Sequence, residues 1–389
     1  MRSEPNYNTI PVGQLGIIAL PGCEELANKI DNYLIRWRFQ RNSEHKDTLA
    51  FAGYEKSTYL INMDFPRFGT GEGKAALNQT VRGYDIYILC DVFNYGVTYK
   101  MYGMTVPMSP DEHFANLKRA ISAIEGKAKR VSVIMPMLYE GRQHKRSSRE
   151  SLDCAMMLQE LNNMGVENFI TFDAHDPRVM NAIPLCGFES ISPAYQMIKA
   201  AVNNVDNLKI NKDNIMIISP DEGGMSRCIY YSTVLGVELG MFYKRRDFSR
   251  IVDGRNPIIA HEFLGDNVEG KDVIIVDDMI SSGESMIEVA TKLKELKAAR
   301  IYIFSAFGLF CNGFDAFDKA FQEGIIDRVF TTNLIYGTPE LLSKDWYIRV
   351  DMSKYLSYII DTLNHDTSIS DLLDPAEKIN TLLDKKGLK

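Results

Sequence analysis

The sequence lacks the features of a secreted, membrane-spanning or zinc-binding protein. It has only six cysteines in 389 residues, and none forms a Cys-x-x-Cys pair, so neither a zinc module nor a small disulfide framework is indicated. The first residues are polar and lack the apolar stretch of a secretory signal. No uncharged apolar run approaches the roughly 20 residues that cross a bilayer. We therefore expect a reduced, soluble, cytoplasmic protein that does not contact membranes.

The sequence also has no excess of basic residues. Its 44 Lys and Arg residues are outnumbered by 51 Asp and Glu residues, which gives a net charge of −7. General nucleic-acid binders usually carry a basic excess that displaces counterions, so we expect no nucleic-acid partner. Hydrophobic residues make up 45% and charged residues 24% of the chain, which excludes a wholly disordered protein. The length is typical of two or three domains.

Short apolar runs alternate with longer amphipathic stretches along the chain. The apolar runs predict strands at Gly16–Leu20, Ile86–Cys90, Val131–Met135, Phe169–Phe172, Ile215–Ile218, Val273–Val276 and Ile301–Ser305. The amphipathic stretches predict helices at Cys23–Leu34, Asp111–Ile124, Glu150–Met164, Ser285–Leu296 and Phe314–Gln322. Continuous hydrophobic strands separated by helices are typical of parallel sheets covered on both faces. The pattern predicts an α/β protein.

Changes in composition predict where the chain divides. A stretch rich in Gly, Ser and Pro around 184–193 interrupts the α/β pattern, so we expect an N-terminal domain over 1–189 and a second over 190–350. The remaining segment, 351–389, is expected to form a helix and a charged tail. Segments 36–66 and 92–112 fit neither the helical nor the strand period, and we interpret them as insertions.

The most informative segment is Val273–Ser285, in which a buried strand ends in the adjacent carboxylates Asp277 and Asp278. A hydroxyl-and-glycine loop follows, with donors from Ser281, Ser282 and Ser285 and a close backbone approach at Gly283. Ligands of open α/β sheets bind beyond the carboxyl ends of strands, and free amides at a helix N-terminus bind phosphate. Such a loop can hold a phosphate while the carboxylates accept hydrogen bonds from sugar hydroxyls. The alternative is an ordinary strand–turn–helix with a serine cap.

This unit resembles the ribose-phosphate signature of two families, the type I phosphoribosyltransferases and the ribose-phosphate pyrophosphokinases. The resemblance implies two phosphoribosyltransferase-like domains, each a mainly parallel sheet flanked by helices. It assigns Asp277 and Asp278 to the ribose hydroxyls, and assigns Ser281, Ser282, Gly283 and Ser285 to the 5-phosphate.

Three further segments favour the pyrophosphokinase. Tyr139–Arg146 resembles its ATP-binding loop, where Arg142 and Gln143 would place the nucleotide. Thr171–Asp176 resembles its Asp-x-His motif, whose histidine, here His175, touches the metal–ATP complex. Ser219–Gly224 resembles Ser-Pro-Asp-x-Gly-Gly, in which Asp221 helps to hold Mg²⁺. Taken singly, a basic run is more often a solvated face, and a histidine at a strand end is more often structural.

Two more segments complete the resemblance. Tyr243–Arg246 is similar to the family's mobile catalytic loop, so Lys244 and Arg246 are expected to stabilise the transferring diphosphoryl group; the alternative is a charged surface turn. The stretch Asp247–Pro257 is consistent with a loop that closes over substrate. Upstream, Pro66–Gly73 is similar to a loop that reaches into a neighbouring subunit's ATP pocket, with Phe68 stacking on adenine and Glu72 contacting the base.

Four positions depart from the family pattern. Thr70 and His144 each replace an Asp, Ser281 replaces an acidic residue, and Glu284 stands where a second glycine is usual. A carboxylate at Glu284 should weaken phosphate binding unless it points away. The departures leave open the choice of nucleotide and the regulation of activity.

The resemblance implies a Mg²⁺-dependent transfer of the diphosphoryl group of ATP to C1 of ribose 5-phosphate, catalysed by Lys244, Arg246 and His175. His175 and Asp221 are the expected metal contacts. A homo-oligomer built from dimers, up to a hexamer, is also implied. The alternatives are a non-catalytic subunit that binds nucleotides and modulates an active paralogue, and a true phosphoribosyltransferase.

Overall fold

The computed structural model describes residues 9–41, 53–246 and 258–388, and for 244–246 and 258–261 it describes the backbone alone. The described residues divide into two compact units. The first comprises the residues up to Ser192 with Asn333–Tyr336 and Asp351–Leu373, and the second comprises the rest. Within these ranges, no helix combines the length and the apolar character needed to cross a bilayer.

The first unit is built on a five-stranded sheet in which every neighbouring pair is parallel. Its strands, in the order β1-β4-β7-β8-β9, are β1 Gln14–Ala19, β4 Tyr84–Leu89, β7 Arg130–Ile134, β8 Asn168–Phe172 and β9 Gly187–Ile191. The helices α1 Glu24–Arg41, α2 Pro110–Ile124 and α3 Asp153–Asn163 connect them, and a short 3-10 helix spans Pro177–Ala182. The capping box of Ser109 and Glu112 fixes where α2 begins. Side chains of β1, β4, β7, β8, α2 and α3 form a continuous apolar cluster.

Two small hairpins extend the first unit. One pairs β2 Met63–Asp64 with β3 Ala76–Leu77, and the other pairs β5 Thr98–Met101 with β6 Met104–Pro107. The second hairpin occupies the segment interpreted as an insertion. Its turn places Tyr102 and Gly103 at φ 48° and 81°, the left-handed pair that a tight hairpin requires.

Part of the C-terminal segment belongs to the first unit. Helix α9 Ser353–Asn364 packs against α1, and the short α10 Ser370–Leu373 follows it. The contact includes a buried ion pair, in which Arg38 Nη2 lies 2.9 Å from Asp361 Oδ1. The expected single tail is therefore divided, because α11 Ala376–Lys386 belongs to the second unit.

The second unit is built on a seven-stranded sheet that is parallel except where β12 pairs with β11. Its strands, in the order β12-β11-β10-β13-β14-β15-β16, are β10 Ile215–Ser219, β11 Glu238–Arg246, β12 Ile258–Leu264, β13 Asp272–Ile280, β14 Ile301–Gly308, β15 Arg328–Thr332 and β16 Tyr347–Val350. Its helices are α4 Ala194–Asn204, α5 Met225–Leu235, α6 Glu284–Glu295, α7 Asp315–Gln322, α8 Pro339–Leu342 and α11. The predicted α/β fold with mainly parallel sheets is confirmed.

One local prediction is wrong. The strand that was expected to end before Asp277 continues to Ile280, so both carboxylates lie within β13. Pairing with β14 carries the strand onward, since Asp277 is opposite Ser305 and Ile280 is opposite Gly308. The backbone hydrogen bonds to a neighbouring buried strand outweigh the low strand propensity of aspartate.

Candidate functional site

The turn from β13 into α6 has the shape expected of a phosphate-binding loop. The loop residues Ser281 and Ser282 lead to Gly283, which caps α6 at φ 86°, so the helix begins at Glu284. A Cβ on Gly283 would lie 2.2 Å from the ring of Phe317, so a glycine is required both by the backbone angle and by packing. The exposed Ser285 is the second residue of α6, so the helix begins one residue before the predicted start at Ser285. Backbone N–H groups at this helix N-terminus can donate hydrogen bonds to an anion.

Asp277 and Asp278 place two adjacent carboxyl groups in β13, shortly before this loop. Asp278 is buried, and its backbone N–H donates to Asp277 Oδ1 at 2.9 Å. Burial and the adjacent charge of Asp278 raise the pKa of Asp277 well above its usual range. Arg227 Nη1 lies 3.8 Å from Asp277 Oδ1 and opposes that shift. Donors that hydrogen-bond to the ionised pair, such as sugar hydroxyls, would therefore be bound favourably.

Asp221 lies in a tight turn after β10, the strand next to β13. Its Oδ1 accepts the N–H groups of Gly223 and Gly224 at 2.9 and 3.2 Å, while Ser219 Oγ donates to its backbone carbonyl at 2.7 Å. A Cβ on Gly224 would lie 3.6 Å from the carbonyl oxygen of Val276. The turn thus lies against β13 at Val276, and it leaves Asp221 Oδ2 as an oxygen ligand for a hard cation.

The predicted ATP loop follows β7 in the first unit. Arg142 is exposed on it. Gln143 is held within the loop, because its backbone N–H donates to Glu140 O at 2.8 Å and its side-chain amide donates to Ser151 O at 3.0 Å. Arg142 is thus presented to solvent by a tightly turned loop, and Gln143 supports the loop itself.

His175 follows β8 in the same unit, close to the ATP loop. The rings of His144 and His175 lie 5.3 Å apart, and His144 Nε2 lies 3.6 Å from Asp176 Oδ2. Asp176 also accepts from the Arg178 guanidinium, Nε to Oδ1 at 2.9 Å and Nη2 to Oδ2 at 2.5 Å, and these bonds hold the pKa of Asp176 well below its usual range. His144, which departs from the family pattern, thus connects the two segments that were expected to contact ATP.

The loop that carries Phe68 is a closed turn with an exposed tip. Phe68 N–H donates to Glu72 O and Gly71 N–H donates to Phe68 O, at 2.8 and 2.9 Å. The Phe68 side chain is 57% exposed. Thr70 Oγ1 donates to Glu72 Oε2 at 2.8 Å, so the residue that replaces an aspartate here fixes the expected base-contacting carboxylate.

Lys244 and Arg246 lie in β11, where the backbone pairs with β12 opposite His261 and Ile258. The residues resembling a catalytic loop therefore begin in a strand. The stretch Asp247–Pro257 and the side chains of Lys244 and Arg246 lie outside the described residues.

Arg227 and the Asp176–Arg178 pair were not predicted from the sequence. The position of Arg227 could have indicated its role. It lies in the first turn of α5, where a cation interacts unfavourably with the helix dipole, so a positive charge there indicates a partner elsewhere in the fold. Across the described ranges, no group of three or more His, Cys, Asp or Glu side chains is arranged to hold a metal ion.

Family models match three segments of the chain. The N-terminal domain of ribose phosphate pyrophosphokinase matches 15–165, a phosphoribosyl transferase domain matches 188–308, and a phosphoribosyl synthetase-associated domain matches 250–374. The second match includes both Asp221 and the Asp277–Ser285 segment.

Curated relatives and a solved structure agree with these matches. Ribose-phosphate pyrophosphokinases of Vibrio parahaemolyticus and Shewanella oneidensis are 26% and 27% identical over 308 residues, which is 78% of this chain and 88% of each relative. The fold is similar to that of phosphoribosylpyrophosphate synthetase from Mycobacterium smegmatis, with a TM-score of 0.71 at 18% identity over 91% of this chain and 99% of that chain.

Proposed function

Because the chain belongs to the ribose-phosphate pyrophosphokinase family, we propose that it transfers the diphosphoryl group of ATP to the C1 hydroxyl of ribose 5-phosphate. The products are 5-phosphoribosyl 1-diphosphate and AMP. The observation that carries this proposal is the pair of neighbouring parallel strands β10 and β13, which end in the Asp221 turn and in the Asp277–Ser285 segment.

The second unit supplies the groups that suit ribose 5-phosphate. Asp277 and Asp278 accept hydrogen bonds from the ribose hydroxyls, and the nearby Arg227 guanidinium favours the ionised form of Asp277. The 5-phosphate binds at the N-terminus of α6, to amides and hydroxyls of Ser281, Ser282, Gly283 and Ser285. The groups for the phosphate, which are amides and hydroxyls, and the carboxylates for the sugar hydroxyls therefore lie in one short segment.

The first unit supplies the groups that suit ATP. Arg142 neutralises or stacks on the nucleotide, and the turn built by Gln143 presents it. His175 contacts the metal–nucleotide complex. Phe68 and Glu72 are proposed to reach the nucleotide site of a second copy, in an oligomer built from dimers. The Phe68 side chain is too exposed to be part of the apolar core of its own chain.

Lys244 and Arg246 are the proposed catalytic cations. Phosphoryl transfer depends mainly on positioning and on neutralising charge in the transition state, so two cations near the β-phosphorus supply most of what the protein must add. No covalent intermediate is needed. The C1 hydroxyl oxygen forms a bond to the β-phosphorus as the bond between the β-phosphorus and the oxygen bridging to the α-phosphate breaks; AMP leaves with that oxygen, and the hydroxyl proton passes to solvent.

Mg²⁺ is the proposed cofactor, and the residues present fit it. Asp221 offers a carboxylate oxygen on a turn fixed by two backbone hydrogen bonds, and Mg²⁺ in phosphoryl-transfer sites binds through one or two carboxylates plus substrate phosphates. When bound, the ion neutralises charge on the phosphates. A cytoplasmic location stays a prediction.

The experiment is to mix the purified protein with Mg-ATP and ribose 5-phosphate and to measure AMP. Formation of AMP that requires the sugar phosphate supports the enzyme. A folded, nucleotide-binding protein that forms no AMP would favour the non-catalytic alternative, which the named relatives do not favour. Consumption of the diphosphate product with a free base would instead indicate a phosphoribosyltransferase.

A further inference from the structure

Glu284 places a carboxylate at the mouth of the proposed phosphate site. It is the first residue of α6 and is exposed. A carboxylate here interacts favourably with the positive end of the helix, so it stabilises the free protein and competes with an incoming phosphate for the same amides. Unless another group holds it aside, Glu284 acts as a built-in competitor of the sugar phosphate.

Asn312 is the group that holds Glu284. Its Nδ2 donates to Glu284 Oε1 at 3.3 Å. The segment that carries Asn312 is tied to the start of the phosphate loop, because Leu309 N–H and Phe310 N–H both donate to Ile280 O, at 2.9 and 3.2 Å. A further hydrogen bond runs from Cys311 N–H to Ser281 O at 2.8 Å. These hydrogen bonds therefore hold the backbone that carries Asn312 next to the phosphate loop.

A shared aromatic cluster fixes both partners. Phe310 is buried, and its ring centre lies 5.1 Å from that of Phe317 and 5.9 Å from that of Trp346. Phe317 is also the ring against which Gly283 packs, directly before Glu284. Since the two segments rest on the same buried rings, the distance between Asn312 and Glu284 is set by the core.

We propose that Asn312 is a positioning residue that draws the Glu284 carboxylate away from the N-terminus of α6, and that this pair sets the affinity of the site for phosphorylated sugars. The inference rests on the proposed ribose-phosphate site. With Asn312 in place, the helix amides are available to the 5-phosphate. Without it, Glu284 turns back toward them and opposes the phosphate charge.

The test is a double-mutant cycle read by calorimetric titration of ribose 5-phosphate, without ATP. Asn312→Ala should weaken binding about threefold and Glu284→Gln should tighten it about threefold, the size of a single charge at a helix terminus. In the Glu284→Gln background, Asn312→Ala should have no effect, because no carboxylate remains to be positioned. Should Asn312→Ala unfold, the isosteric Asn312→Asp serves instead and should weaken binding further by repelling Glu284.

A matched control and a kinetic readout separate positioning from general damage. Glu288→Gln removes the same charge one turn further along α6 and should change the affinity by much less. In turnover assays, Asn312→Ala should raise KM for ribose 5-phosphate while KM for ATP stays constant. Equal effects of Asn312→Ala in both backgrounds would overturn the inference alone. Absence of ribose 5-phosphate binding by the wild-type chain would instead overturn the proposed site itself.

Discussion

Arg227 Nη1 lies 3.8 Å from Asp277 Oδ1, and this guanidinium opposes the raised pKa of that carboxyl. Asp277 is crowded by Asp278, its neighbour in the same strand, so the pair needs a nearby cation or hydroxyl donors to remain ionised. The contact joins the start of α5 to β13, and it links the turn of Asp221 to the carboxylates proposed to bind ribose.

Replacing Arg227 should therefore weaken sugar binding and change its pH dependence. In Arg227→Ala the pKa of Asp277 rises further, so the loss of ribose 5-phosphate binding on acidification should begin at a higher pH. Titration calorimetry across mildly acidic to neutral pH measures this directly. Arg227→Lys, which keeps the charge, is the control. If Arg227→Ala lost ribose 5-phosphate binding at the same pH as the wild type, the role given to the guanidinium would be contradicted.

Replacing His144 by aspartate, the family's usual residue, should weaken ATP binding more than replacing it by a neutral residue. An Asp at this position would add a second carboxylate beside Asp176 and close to the proposed ATP site, and its repulsion of the ATP phosphates should cost about 1 kcal/mol at the surface, or about fivefold in affinity. We expect His144→Asp to weaken ATP binding by that factor and His144→Asn to have a smaller effect. Binding of a fluorescent ATP analogue measures both variants. Tighter ATP binding by His144→Asp would show that the imidazole does not connect the two loops.

Asp91 should make the stability depend on pH. It is buried, its two oxygens accept the N–H groups of Phe93 and Tyr336, and burial raises its pKa from 3.8 to about 7. The folded state keeps the proton to a higher pH than the unfolded state does. Stability contributed by this group therefore falls as the pH rises from about 4 to about 7, by a total of about 4 kcal/mol, and is level above that.

Denaturant unfolding of wild type and Asp91→Asn at several pH values checks this expectation. Because many carboxyl groups titrate, the informative quantity is the difference between the two proteins. That difference should change steadily between pH 4 and 7. A constant difference would mean that Asp91 titrates normally.

The buried pair of Arg38 and Asp361 should be a large contributor to the attachment of α9. Arg38 donates from Nε and Nη2 to Asp361 Oδ1 at 3.1 and 2.9 Å, and both side chains are almost fully buried. Asp361→Asn leaves the arginine charge buried without its counter-ion and should lower the free energy of unfolding by about 3–5 kcal/mol. Glu269→Gln, which breaks an exposed pair with Lys297, should cost little. Similar losses in the two variants would refute this ranking.

Much of the fold follows from sequence patterns, because buried parallel strands are short apolar runs. All seven predicted strands and all five predicted helices overlap observed elements. The hairpin of β5 and β6 was missed because its turn uses Tyr102 and Gly103 instead of the common Asn-Gly pair. The strand β16 was missed because four residues are too few to show a period.

The site was predictable only where its residues are adjacent in sequence. Asp277, Asp278 and the loop to Ser285 lie on one segment, so their pattern carries information. The contacts that tune them, from Arg227 and from Asn312, come from segments tens of residues away and depend on how strands and helices pack. The same holds for His144 and Asp176, which only the folded first unit brings together.

The most direct test of the account follows the fate of the label in ATP marked at the β-phosphorus. Diphosphoryl transfer moves both the β- and γ-phosphorus to the sugar, so with radioactive phosphorus at the β position, thin-layer chromatography should find the label in the sugar diphosphate and find AMP unlabelled, in equal amounts. Lys244→Ala should retain ATP binding and form neither product. Labelled ADP as the nucleotide product, or turnover that survives Lys244→Ala, would contradict the proposed reaction or the assignment of its catalytic cation.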